Sequence, residues 1–322
     1  MARNIMKNIL ISGVNGFLGS YLARELSKEY QVVGLKRSTS DICRLENIEN
    51  LILCDIDKVG LEKIFKKYKP CLVFHAAVCY GRGNEKLSNI VQTNMLLSIE
   101  MIELSIAFNV GTFFNTDTMQ QAYLSYYTTT KKHLRDYLVS LSQDIQIINC
   151  KLEHMYGYND GKDKFVGYLV NSLQNKIPKI SLTKGEQKRD FIYIKDVIQA
   201  YKILLKNVEH LPRFFEIDIG TGEQVSIKEF CLYLLCQFEK YQYDGNNTEL
   251  DFGAIPYREG EPMSIDEDIK PLLALGFIPK YDYKKGIDDM LSKIYNNGIL
   301  GGGGALSLIN NQQEFHVLQK VA

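Results

Sequence analysis

The chain has no net charge, no tryptophan, no CxxC pair and no uninterrupted apolar run of membrane-spanning length. Lysine and arginine number 38 and aspartate and glutamate 38, so no excess of positive charge is available to neutralise a phosphate backbone. A nucleic-acid partner is therefore not expected. Seven cysteines, an odd number scattered through apolar segments, read as reduced thiols rather than a disulfide framework or a metal site. Without a long apolar run or a signal peptide, neither a membrane partner nor export is expected, and a cytoplasmic protein is. Internal repeats are missing too. The absence of tryptophan beside twenty tyrosines carries no functional information.

The organising stretch is residues 8–21, NILISGVNGFLGSY. Its apolar start reads as a strand covered on both faces. The strand runs into Gly13, Gly16 and Gly19 and then into a helix over 18–29. G-x-x-G-x-x-G allows a tight turn, close approach of backbone N–H groups to a pyrophosphate, and a helix N-terminus aimed at that charge. A dinucleotide site follows. The second strand, 31–35, lacks the terminal acidic residue that would hold the 2′-hydroxyl of NAD. Lys36 and Arg37 stand there instead, followed by Ser38 and Thr39, which suits the 2′-phosphate of NADP(H) better than NAD(H). Asp55, ending a third strand over 51–56, is placed to accept from the adenine amino group.

Further strands are expected at 71–75, 112–116 and 145–152, with helices at 61–68, 87–109 and 126–142. Strand–helix alternation from the N-terminus to the last of these strands implies an α/β fold with a Rossmann-type doubly wound parallel sheet. This NADP-binding domain is expected over 1–157. Beyond it the character changes. Segments at 165–174, 180–182, 191–194, 196–207, 214–219 and 226–238 read as a smaller mixed α/β substrate domain over 158–296, some of whose strands return to the main sheet. A glycine-rich linker and tail occupy 297–322.

Tyr127 and Lys131 form Y-x-x-x-K at a helix start, one turn apart on one face. An ammonium beside a phenol favours the phenolate, which makes the tyrosine a usable acid and base. The same spacing recurs at Tyr281 and Lys285, read as chance. Thr116, at the end of the preceding strand, can donate to the oxygen that Tyr127 protonates. His75, at a strand end before Ala76 and Ala77, is read as structural rather than as a general base; the two alanines let the backbone pass close to a cofactor.

Gly13, Gly16 and Gly19, His75-Ala76-Ala77, Thr116 and Tyr127/Lys131 together resemble the extended short-chain dehydrogenase/reductases that act on nucleotide sugars. Residues 189–197 (RDFIYIKDV), 258–262 (REGEP) and 275–279 (LGFIP) are similar to that family's C-terminal motifs, and the likeness spans roughly 7–295. Within the family it is strongest to reductases of nucleotide-linked 4-keto-6-deoxyhexoses, through residues 114–118, 152–157, 160–165, 185–191 and 252–255. The resemblance implies NADPH-dependent reduction at C4 of a CDP- or dTDP-linked sugar for O-antigen or other surface glycans. It implies that Asn15, Phe17, Leu18, Ile56, Asn94, Leu152 and His154 join the cofactor site. It also implies that Asp117, Thr118, Lys164, Phe165, Arg189 and Arg258 join the substrate site, the two arginines clamping the diphosphate. A homodimer formed through helices 87–109 and 126–142 is expected on the same ground. Dehydratases of the family resemble this strand end as Thr-Asp-Glu; Thr118 replaces that Glu, so the second carboxylate needed for loss of water is missing. The segment between Thr116 and Tyr127 is shorter than in most members and lacks Val-Tyr-Gly. Two other readings remain: an NAD-retaining 4-epimerase, which Lys36 and Arg37 oppose, and a redox-sensing binding protein, which would have lost Tyr127 or Lys131.

Overall fold

The computed structural model describes residues 6–241 and 247–298. The expected tail, 297–322, lies almost wholly outside them. The chain divides into two compact units. One takes the stretch up to Leu152 together with Ile198–Ile219 and Ile269–Phe277. The other takes Glu153–Val197, Gly220–Asp268 and, among the described residues, 278–298.

The first unit is the doubly wound sheet. Its strands are β1 (Asn8–Ser12), β2 (Gln31–Lys36), β3 (Leu51–Asp55), β4 (Leu72–His75), β5 (Thr112–Thr118), β6 (Gln146–Leu152) and β9 (Phe214–Ile219). All seven run parallel in the order β3-β2-β1-β4-β5-β6-β9. The order reverses between β1 and β4, the switch point outside whose carboxyl ends open α/β sheets bind ligands. The connecting helices are α1 (Phe17–Leu26), α2 (Ile56–Val59), α3 (Leu61–Tyr68), α4 (Leu87–Val91), α5 (Leu97–Ala107) and α6 (Tyr126–Leu141), and α8 (Ile194–Asn207) and α10 (Lys270–Ala274) also contribute. Leu10, Val33, Val73, Phe113 and Ile147 from five adjacent strands meet Ile64, Phe65, Met101, Ile102, Leu134 and Leu138 from the helices in one buried core. Each such side chain contributes about 1.5–3 kcal/mol relative to exposure.

The expected helix over 87–109 is broken by a π-helical turn, Gln92–Leu96, between α4 and α5. By length and composition Leu87–Ala107 is apolar enough to cross a membrane. Met101 and Ile102 fill the core, whereas Leu87 and Leu96 on the same stretch are exposed.

In the second unit, α7 (Phe165–Gln174) and α11 (Tyr283–Gly298) pack on α9 (Ile227–Lys240). Two small sheets accompany them, β7 (Lys179–Leu182) with β11 (Glu249–Phe252) in parallel and β8 (Lys188–Asp190) with β10 (Gln224–Ser226) antiparallel. The strand expected at 191–194 is displaced to β8. Residues 191–194 are apolar because Phe191, Ile192, Tyr193 and Ile194 are all buried, and Phe191 stacks on Phe230 with ring centroids 3.8 Å apart. A short buried run has no periodicity to distinguish strand from loop.

Candidate active site

The glycine turn forms because no side chain fits it. Gly13 has φ +63°, and a Cβ there would sit 2.7 Å from Ala77 Cα. A Cβ on Gly19 would lie 2.2 Å from the Gly13 carbonyl, which accepts from Gly16 N–H. Gly16 is the N-cap of α1 and supplies no side-chain cap. This bare-backbone cradle, set between the ends of β1 and β4, fits a dinucleotide diphosphate. Phe17 and Leu18 are buried beneath it, whereas Asn15 lies at its edge and receives the Arg44 guanidinium on its carbonyl at 3.5 Å.

The ends of β2 and β3 are arranged differently from the sequence expectation. Lys36 and Asp55 pair with each other, Nζ to Oδ1 at 2.6 Å, and this bond holds the Asp55 carboxyl below its usual range. The Ser38 amide and hydroxyl donate to Asp57 at 2.8 and 2.6 Å. Arg37 is exposed and Ile56 half-buried. Sequence reasoning missed Arg44, because nothing in its spacing ties it to the glycine turn, a loop separated from it by a helix and a strand.

His75 is fully buried with both ring nitrogens bound, Nδ1 to Ser12 Oγ at 2.8 Å and Nε2 to Ser98 Oγ at 2.7 Å. Burial pushes it down to about 3, so it is neutral at any physiological pH and unavailable as a base. Ser12 Oγ also accepts the Ala76 and Ala77 amides at 3.2 Å, which fixes those residues against Gly13. Asn94, in the π turn, accepts from Cys79 N–H at 2.8 Å and donates to Cys79 O at 2.9 Å and Thr130 Oγ1 at 3.1 Å. It thereby ties the loop after β4 to α6 rather than pointing outward.

Helix α6 opens with a capping box: Ser125 accepts from Thr128 N–H and the Thr128 hydroxyl accepts from Ser125 N–H. The cap places Tyr127 in the first turn and Lys131 one turn on. Lys131 is almost fully buried, donates from Nζ to Thr116 O at 2.8 Å, and is pushed down to about 8 by burial. Tyr127 is raised well above the usual phenol range by burial, with Tyr80 and Asp117 nearby; a hydrogen bond with Thr118 and the Arg82 cation act in the opposite direction. Burial thus keeps the phenol protonated, opposite in direction to what the Lys131 spacing predicts. Tyr80 lies against the Tyr127 ring at 4.9 Å and carries the Arg82 guanidinium 4.7 Å above its own ring. Neither residue stood out in the sequence, since no motif marks the loop after Ala77.

Strand β5 sorts its last residues by face. Thr116 and Thr118 share one face. Asp117 turns away, accepting from its neighbour's amide at 2.7 Å and from Asn149 at 3.1 Å, with Lys132 Nζ 3.6 Å away. Asp117 is therefore engaged by the sheet. Leu152 O, at the end of β6, accepts from Met119 N–H at 3.1 Å.

In the second unit, His154 is pushed down to about 3, by burial first and then by Arg189, and its Nδ1 lies 3.2 Å from Glu153. Lys164 pairs with Asp160 at 3.1 Å and Phe165 is buried. Arg189 is fully buried and donates to Lys188 O at 2.7 Å, to Pro262 O at 2.9 Å and to Glu261. Arg258 donates to the same Glu261 through Nε and is the more exposed of the two. Tyr281 accepts from Lys195 Nζ at 3.1 Å, an arrangement unlike that of Tyr127.

Residues 9–220 match the NAD dependent epimerase/dehydratase family. The chain is 32% identical over 299 residues to the CDP-abequose synthase of Salmonella typhimurium strain LT2, an alignment covering 89% of this chain and 98% of that one. In fold it is similar to the UDP-N-acetylglucosamine 4-epimerase of Methanobrevibacter ruminantium M1, with TM-score 0.77, 19% identity and coverage of 91% and 99%. The UDP-glucuronic acid 4-epimerase of Bacillus cereus, solved with UDP-glucuronic acid and NAD, matches with TM-score 0.74, 22% identity and the same coverage. A glycine cradle at the sheet's switch point and a capped Tyr-Lys helix beside β5 are thus found in a chain that belongs to the NAD dependent epimerase/dehydratase family, the extended short-chain dehydrogenase/reductases.

Proposed function

We propose that the protein reduces the C4 keto group of a CDP- or dTDP-linked 4-keto-6-deoxyhexose with NADPH, in the cytoplasm, for O-antigen or other surface glycans. The observation that carries this reading is the end of β5 facing the start of α6. It holds a protonated Tyr127, the Thr116 and Thr118 hydroxyls, and an Asp117 turned into the sheet. That set can deliver a proton to a carbonyl oxygen but has no pair of carboxylates for eliminating water. The similarity to a CDP-abequose synthase over nearly the whole of both chains supports the same class.

When bound, NADPH supplies the hydride that the C4 carbon accepts. Tyr127 gives its proton to the C4 oxygen and is reprotonated from solvent, so one keto sugar, one hydride and one proton yield one alcohol. Thr116 donates to the same oxygen. Lys131, held by Thr116 O, places positive charge where the nicotinamide ribose would lie. Gly13, Gly16, Gly19, Ala76 and Ala77 would hold the diphosphate. Arg37 and Arg44 are the cations for a 2′-phosphate, Lys36 being paired with Asp55. In the second unit Arg258 is the ligand for the sugar nucleotide's diphosphate, with Arg189 behind it on Glu261. Leu87, Leu96, Tyr126, Tyr137 and Val139, exposed on α4, α6 and the π turn, form the homodimer face.

One observation favours a second reading, an NAD-retaining 4-epimerase: the Lys36–Asp55 pair removes one of the two cations expected at a 2′-phosphate. Cofactor released from purified, denatured protein separates the two. Retained NAD supports the epimerase, and exchangeable NADP(H) supports the reductase.

A further inference from the structure

Thr116 is held from behind. Its Oγ1 lies 2.9 Å from the hydroxyl of Tyr201, which α8 supplies from much later in the chain. Tyr201 is 1% exposed, and its ring lies against Phe74 and Phe114 at 6.3 and 6.4 Å, two rings that themselves stack at 4.6 Å. A ring so wedged holds its hydroxyl at one point. Cys150, in register with Thr116 on the next strand, sets its thiol beside this phenol. Cys150 is fully buried and pushed up to about 12, so it stays protonated.

Either hydroxyl can donate in this bond. When Tyr201 donates to Thr116, the Thr116 hydrogen is left for another acceptor. With one lone pair of Thr116 engaged by Tyr201, its own hydrogen points elsewhere, and Thr116 is half-exposed. We propose that Tyr201 is a positioning residue that holds the Thr116 hydroxyl as a donor toward the oxygen protonated by Tyr127. This rests on the role given to Thr116 in the proposed reduction. It makes the pair a preorganised two-hydroxyl unit, so that Thr116 need not reorient as charge develops on the C4 oxygen.

The test is a double-substitution cycle on the full chain, Tyr201→Phe and Thr116→Val singly and together. Both changes remove an oxygen and keep the shape. Single-turnover NADPH oxidation is followed with CDP-4-keto-3,6-dideoxyglucose and dTDP-4-keto-6-deoxyglucose, and counts only cofactor-loaded enzyme, so partial unfolding does not enter. Thr116→Val should slow the step about 100-fold, as loss of one donor to a developing oxyanion does. Tyr201→Phe should slow it about 5- to 30-fold, with KM for the sugar and Kd for NADPH changed less than about twofold, and should have no further effect in the Thr116→Val background. If Thr116→Val turns over normally, the role of Thr116 in the reduction fails and this inference with it. If Thr116→Val is slow but Tyr201→Phe matches the parent, or the two losses multiply, the positioning role is overturned while the reductase reading stands.

Discussion

The Gly19→Ala substitution tests whether the cradle is built on close backbone approach. The added methyl would lie 2.2 Å from Gly13 O and 2.9 Å from both Gly13 C and Val14 Cα. Carbon atoms sit comfortably at about 3.5–4.0 Å, so the two carbon contacts alone overlap by about 0.6–1.1 Å, and every offending atom is backbone with no rotamer to escape into. Relief requires α1 and the Gly13–Gly16 turn to separate by about 1 Å. Overpacking of this kind costs about 1–3 kcal/mol, a fall in Tm of roughly 1–5 °C for a chain of 322 residues. A shift of about 1 Å in the amides that face the diphosphate should weaken NADPH binding about 10- to 100-fold. Two other glycines calibrate the result. Gly16→Ala brings the methyl only to 3.1 Å from Gly13 O and should lose less. Gly60→Ala meets nothing within 4 Å but has φ +80° and ψ 144°, so it should lower Tm through backbone strain of about 1–3 kcal/mol and leave NADPH affinity alone. Fluorescence titration of NADPH together with thermal unfolding reads all three. Parent-like NADPH affinity in Gly19→Ala, or an equal loss in Gly60→Ala, would refute the argument.

Tyr127→Phe removes the proton donor and should lower kcat about 10²- to 10⁴-fold with NADPH Kd unchanged; steady-state rates with intact circular dichroism check this. Arg37→Ala combined with Arg44→Ala should reduce the preference for NADPH over NADH at least tenfold, measured as the ratio of Kd values, while an unchanged ratio would remove both from the 2′-phosphate. Burial, with Asp190 and Glu153 beside it, lifts the Glu267 carboxyl to about 9. The folded state therefore keeps a proton that the unfolded chain loses near pH 4.5, and this group's contribution to stability declines as pH rises from there to about 9. Urea unfolding across that range should flatten in Glu267→Gln; a parallel slope would sink the assignment. Leu96→Glu on the exposed apolar face should convert a dimer to monomers in light scattering.

Much of the first unit was legible because its signals are local. Buried parallel strands are continuous apolar runs, and the three glycines and the Tyr-Lys turn are fixed by spacing within one element. The π turn was not legible, since Asn94 is placed there by its bonds to Cys79 and Thr130 across space. From their strand ends alone Lys36 and Asp55 each read as cofactor residues, but adjacent parallel strands in register bring opposite charges together before any ligand does. The same limit hid Tyr201, Tyr80 and Arg82, whose partners are far away in the chain or lie in a loop of no fixed pattern. In the second unit residues 191–194 read as a strand, yet it is the polar Lys188–Asp190 that pairs with β10, a register set by tertiary packing.

The most direct test of the central claim is NADPH oxidation with CDP-4-keto-3,6-dideoxyglucose and dTDP-4-keto-6-deoxyglucose in parallel, with product NMR. The account predicts that one of the two sugars is turned over with one NADPH consumed per C4 alcohol formed. No oxidation with either sugar, from folded protein that retains NAD through purification, would contradict it.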